Sequence, residues 1–159
     1  MTGERRLFFE RYIDAWNDHD PDAVVAQFAP SGTYVDSSLD SPLAREEVAD
    51  FVNDTVVAFP DVEFSERRVI SEDSSENLVL TTEWTMIGTH AGSFQGLPPT
   101  GEQVEIEGVD VITVTDEGIT SITGYFDQSE VMAQLGLTFP TVIGKVPTLA
   151  VGAVRETLS

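Results

Sequence analysis

The sequence predicts an α+β domain, with helical segments gathered at the N-terminus and an antiparallel meander after them. Two observations carry this. Apolar residues recur at helical spacing three times before residue 60, and runs of Val, Thr, Ile and aromatic residues broken by Gly/Asp turns dominate from 62 to 126. The length, 159 residues, suits one domain with a core and a pocket.

Leu7, Phe8, Arg11, Tyr12, Ala15 and Trp16 set the first helix, over about 3–18. Asp20-Pro21 reads as an N-cap with proline at the first helical position, opening a short helix to Phe28 with Val24 and Val25 buried. Pro30-Ser31-Gly32 is expected to end it, before a short strand Thr33-Tyr34-Val35. Ser41 is expected to cap a third helix carrying Val48, Phe51, Val52, Thr55, Val56 and Phe59, stopped by Pro60. Strands follow over 62–71, 77–90, 103–115 and 119–126; Gly92–Gly101 is a loop and Asp116-Glu117-Gly118 a hairpin turn. A short helix over 129–135 ends at Gly136, and a terminal helix is expected from Pro147 to Leu158. The domain is assigned to residues 1–137, with 138–159 an extension packed on it or on a partner. The apolar tail around Val142, Ile143, Val146, Leu149 and Val151 is expected to cover the pocket mouth or a partner surface.

There are 28 acidic residues against eight basic ones, a formal net charge of −20, and only Lys145 is a lysine. Such a surface repels nucleic acid. The acids are spread along the chain, which fits a solvated, halophile-like surface better than a docking tail. The melting temperature is therefore expected to rise markedly between low and molar salt, as screening relieves self-repulsion; a salt-independent melting curve would contradict this. There is no cysteine, no apolar run long enough for a bilayer and no signal-peptide core, so the expected location is the cytoplasm. No phosphate-binding glycine loop, local metal signature or Gly-x-Ser-x-Gly elbow occurs, and no cofactor or metal is expected.

Alternation locates the chemistry. On 103–115, Val104, Ile106, Gly108, Asp110, Ile112 and Val114 share one face, and Glu105 and Glu107 take the other. Asp110 is thus a lone acid on an apolar face. It is either a structural acceptor or a general acid–base group whose pKa burial raises. On 77–90, Trp84 and His90 share a face, and His90 stands at the strand end, where a sheet pocket would open; it is a proton shuttle or a loop residue. Asp127 ends Tyr125-Phe126-Asp127 and either lines the pocket or caps the next helix. Of the aromatics, Trp16, Tyr34, Phe59, Trp84 and Tyr125 are the candidates for ligand contact.

The stretch from Trp84 through Gly88-Thr89-His90 to Gly96-Leu97-Pro98-Pro99-Thr100-Gly101 resembles the SnoaL-like polyketide cyclase, or ester cyclase, family. Gly108-Val109-Asp110, Tyr125-Phe126-Asp127 with Gln134-Leu135-Gly136, and the N-terminal Tyr12, Trp16-Asn17, His19-Asp20 and Phe28-Ala29-Pro30 fit the same pattern, over roughly residues 5–137. The resemblance implies a nuclear transport factor 2-like cone, with three helices on a curved sheet around a deep pocket. It also implies a homodimer and cofactor-independent ring closure on a small apolar or aromatic carbonyl compound. By it, Asp127 and Asp110 are the candidate bases, with His90 and Tyr34 as hydrogen-bonding partners. A non-catalytic metabolite binder and a dimeric interaction module are the alternatives on the same scaffold.

Overall fold

A computed structural model describes residues 2–138 and 141–158. Helix α1 (Thr2–Asn17) buries Arg5, Phe9, Tyr12 and Trp16, a spacing of four, three and four. The buried face is rotated from the expected one: Leu7 is 41% exposed and Arg11 faces solvent. Arg5 is held by Asp116 and by the Ser74 and Ser75 carbonyls, which ties α1 to the ends of two hairpins. In α2 (Pro21–Val25) the Asp20 carboxylate caps the Ala23 N–H at 3.0 Å, as the Asp-Pro pair predicts.

The helix expected to reach Phe28 stops at Val25, and Phe28 begins strand β1 (Phe28–Val35). Tertiary pairing overrides the helical pattern here. β1 lies parallel to β6 (Gly118–Phe126) with a register irregularity between Phe28 and Thr33, where Pro30 and Gly32 sit. A two-residue strand β2 (Leu43–Ala44) pairs with β1, so α3 starts at Arg45 and runs to Ala58. Ser41 is not its cap; the Glu47 side chain instead accepts from the Ala44 N–H at 2.8 Å.

Strands β3 (Glu63–Asp73), β4 (Leu78–Thr89), β5 (Gln103–Thr115) and β6 form the antiparallel meander, and the sheet order is β2-β1-β6-β5-β4-β3. The expected alternation holds on β5: Val104, Ile106, Gly108, Asp110, Ile112 and Val114 are all buried. Helix α4 (Gln128–Gln134) ends at Gly136, whose φ of +73° suits glycine at a helix C-terminus.

The terminal helix α5 spans Thr141–Leu158, so Pro147 lies inside it rather than at its start. It packs on the 92–101 loop. A Cβ on Gly152 would come within 2.7 Å of Pro98, and Lys145 pairs with Glu102. Val146 and Val151 are exposed; the side chains of Val142 and Ile143 lie outside the described residues. No described helix is long and apolar enough to cross a membrane.

The curved sheet wraps the helices around two apolar clusters. One joins α1 and α3 to Leu78, Leu80, Ile112, Ile119 and Ile122. The other gathers Phe59, Trp84, Val104, Ile106, Val131 and Leu135. The space between them is not filled.

Candidate active site

A cavity of about 100 Å³ lies between the two clusters. Of its twenty lining residues among those described, nine are aromatic, three are acids (Asp36, Glu66 and Asp110) and none is basic. Trp16, Tyr34, Phe59 and Trp84 line it, together with Tyr12, Phe51 and Phe64. The rings meet mostly edge to face, Trp16 on Phe64 at 5.2 Å and Phe64 on Trp84 at 5.8 Å, which braces the wall without closing the space.

Asp110 is 8% exposed, and its Oδ1 accepts the Trp84 indole N–H at 2.9 Å. Among the described residues, no protein donor reaches Oδ2. Burial pushes its carboxyl up to about 7; the Trp84 hydrogen bond pulls the other way, and the nearby Asp36 charge adds to the rise.

Two registers build this environment. Trp84 stands directly across from Gly108, and a Cβ there would lie 2.2 Å from the indole ring. Glycine lets the ring lie flat over β5 and deliver its N–H two residues along. Asp110 stands across from Gly124, where a Cβ would lie 2.8 Å from Asp110 Oδ1 and 3.2 Å from Asp36 Cβ. The parallel β1–β6 pairing, with Val35 opposite Thr123, brings Asp36 to that same glycine. Two carboxyls therefore converge over one missing side chain.

Their surroundings differ. Asp36 is 8% exposed and accepts three hydrogen bonds, from Tyr34 Oη (2.8 Å), the Ser38 N–H (2.8 Å) and Ser38 Oγ (2.6 Å). Asp110 accepts one. Both oxygens of Asp36 are engaged, whereas Asp110 retains an oxygen with no donor, facing the cavity. Tyr12 and Tyr34 are pushed well above the ordinary phenol range, chiefly by burial; the Asp110 charge adds to the rise at Tyr12, and Tyr12 and Asp36 add at Tyr34. Both remain neutral donors. Thr82, across from Asp110 in register, is buried with no hydrogen-bond partner for Oγ1 among the described residues.

Other expected residues fall elsewhere. Asp127 is exposed and caps α4, its Oδ1 accepting the Ser129 N–H at 2.8 Å, so it does not reach the cavity. Period two turns Tyr125 to the outer face of the sheet, 59% exposed. His90 is fully buried behind the cavity wall, its ring 5.5 Å from Phe59 and 6.2 Å from Phe94, and Nδ1 meets Thr100 Oγ1 and the Thr100 N–H. It closes the base of the Pro-Pro-Thr-Gly loop instead of opening onto a mouth. The sequence names neither Asp36 nor Gly124, and Tyr12 only as a helix-face and family-pattern residue, not as part of the site. The available signal was Asp36 itself, one alternation step beyond inward-facing Tyr34. Among the described residues no cluster of three His, Asp or Glu is placed to hold a metal ion.

Comparison with known proteins decides the family. The SnoaL-like polyketide cyclase family model matches residues 6–135. The chain belongs to the SnoaL-like polyketide cyclase family. A comparison with curated proteins finds no match. Among solved structures, this family member resembles AclR, a hydroxylase candidate from Streptomyces galilaeus, at 20% identity and a TM-score of 0.73, over 87% of this chain and 99% of that one. It also resembles a SnoaL-like polyketide cyclase candidate from Jannaschia sp. CCS1 (20% identity, TM-score 0.70, 84% and 92% covered). A third is IdmH, a polyketide cyclase candidate from Streptomyces antibioticus (24% identity, TM-score 0.65, 83% and 98% covered). At these identities the likeness establishes the shared cone.

Proposed function

We propose that the cavity is the active site of a cyclase/isomerase-type enzyme in which Asp110 carries a proton to and from carbon. The observation that carries this reading is the Asp110 carboxyl itself, buried in an aromatic hollow with one oxygen fixed by Trp84 and the other facing the space. A base of this kind works best with a pKa near the working pH, and burial supplies that.

Ionised Asp110 removes a proton from a carbon beside a carbonyl. The C–H electron pair moves into the enolate, whose oxygen accepts a hydrogen bond from the neutral Tyr12 phenol. In ring closure the enolate carbon attacks a second carbonyl of the same molecule, and the new alkoxide takes the proton back from Asp110. In isomerisation the proton returns to a different carbon. Either sequence balances with substrate and side chains alone, so the reading needs no cofactor. Asp36 stays in place, held by Tyr34 and Ser38, and shapes the floor.

The test is deuterium wash-in at the carbons beside the carbonyl of a small ketone such as 4,4-dimethylcyclohexanone, followed by mass spectrometry. The enzyme-dependent rate is expected to rise about tenfold per pH unit below pH 7 and to level above it, because only the ionised fraction of Asp110 accepts a proton. A flat pH profile, or wash-in no faster than in an Asp110→Asn variant, overturns the assignment.

A further inference from the structure

The cavity has an electrostatic asymmetry that ring closure by itself does not require. Among the described residues its lining holds Asp36, Glu66 and Asp110, with no lysine, arginine or histidine. Glu66 sits at the rim on β3, and no ion pair or hydrogen bond reaches its side chain among the described residues. Partial burial pushes its carboxyl up, and Glu10 and Asp14 of α1 push it further; only Arg6, itself paired with Glu10, opposes them. Inside the rim stand the rings of Trp16 and Phe64, and deeper the unpaired Oδ2 of nine-tenths-buried Asp110.

Ring faces carry negative potential, so an aromatic wall and an unpaired carboxylate attract the same kind of group. Both repel an anion, and the chain's formal charge of −20 extends that repulsion to long range. A neutral substrate would satisfy the rings and leave the rim carboxylate of Glu66 paired only with water.

We infer that the substrate of this site carries a protonated or quaternary ammonium group, seated between the Glu66 carboxylate and the aromatic wall. The inference rests on the active-site reading above for the location of the reacting carbon, but its test reads binding alone. Free carboxylates and phosphate and sulfate monoesters are disfavoured at the same position by charge.

Choline, its uncharged carbon isostere 3,3-dimethylbutan-1-ol and the anion 3,3-dimethylbutanoate present nearly the same bulky head with charge +1, 0 and −1. Each is titrated into the protein at about pH 8, following the two tryptophan indole N–H resonances, one of which is bonded to Asp110. Choline is expected to shift them and to bind at least about tenfold more tightly than the neutral isostere, as a desolvated cation on aromatic faces does. The anion is expected to give no shift. Glu66→Gln, at an exposed position, is expected to weaken choline several-fold and leave the isostere unchanged. Equal or tighter binding of the isostere or the anion, or no indole shift with choline at the highest attainable concentration, overturns the inference. If that happens while deuterium wash-in persists, only the ammonium class falls. If choline binds selectively and wash-in is absent both from the neutral ketone and from its cationic isostere N,N-dimethyl-4-oxopiperidinium, the acid–base reading falls and an amine-binding site remains.

Discussion

Asp110→Asn is expected to cut proton transfer by orders of magnitude and at the same time to stabilise the protein above neutral pH. Unfolded, the Asp110 carboxyl titrates near its ordinary value of about 3.9. Folded, burial raises it to about 7. Between these values the native state holds a proton that the unfolded chain has released, so this group's contribution to stability falls as pH rises from about 4 to about 7. Above 7 the native state carries a buried charge, and the penalty is constant. Raising the carboxyl from about 3.9 to about 7 sets the size of that penalty at roughly 4 kcal/mol.

Asparagine has the same shape and no charge, and its carbonyl still accepts the Trp84 N–H. The variant therefore escapes the penalty. At pH 8.5 it should unfold at higher denaturant than wild type, by a margin on the order of 2–4 kcal/mol, and at pH 4 the two should coincide. Wash-in should fall by about 10²–10⁴-fold. Measuring the difference between the two proteins cancels the titration of the other acids. A variant no more stable than wild type at pH 8.5 would show that the carboxyl is not buried as described.

The second large effect is expected at Gly108→Ala. The added methyl would fall 2.2–2.7 Å from three carbons of the Trp84 ring, well inside contact distance. The indole cannot yield freely, because Phe64 braces it at 5.8 Å and Phe126 at 6.2 Å. Overpacking of this kind costs about 1–3 kcal/mol, and chemical denaturation should show a loss in that range. The same displacement takes the N–H away from Asp110 Oδ1. That bond favours the ionised carboxyl, so its loss raises the pKa further, and the rising limb of the wash-in profile should move to higher pH. A structural defect alone would lower stability without moving the limb. An unchanged limb in a folded Gly108→Ala protein would detach Trp84 from the chemistry.

The two variants mark how the site is built. Asp110 supplies the charge, and two glycines on neighbouring strands supply the room. Gly108 seats the ring that donates to Asp110, and Gly124 leaves space for two carboxyls to approach. Much of what alternation cannot see is the absence of a side chain opposite a functional one.

The sequence alone determined the helices-then-meander order apart from the short strand β2 and the start of β1, the inward face of β5 and therefore the burial of Asp110. Each depends on local periodicity or turn chemistry: period two on β4 and β5, the Asp20-Pro21 start of α2, the Gly118 turn and the Gly136 stop. The loop motif and its companions also carried the family. Tertiary structure decided who meets whom. Trp84 reaches Asp110 across 26 positions of chain, and Asp36 reaches Gly124 only because β1 joins the sheet parallel to β6. Asp127 was drawn away by the four unpaired N–H groups of the helix it begins, and His90 by the loop it holds shut. Periodicity fixes which face a side chain takes; only strand register and helix docking fix its neighbours, and it is the neighbours that set a buried carboxyl's charge.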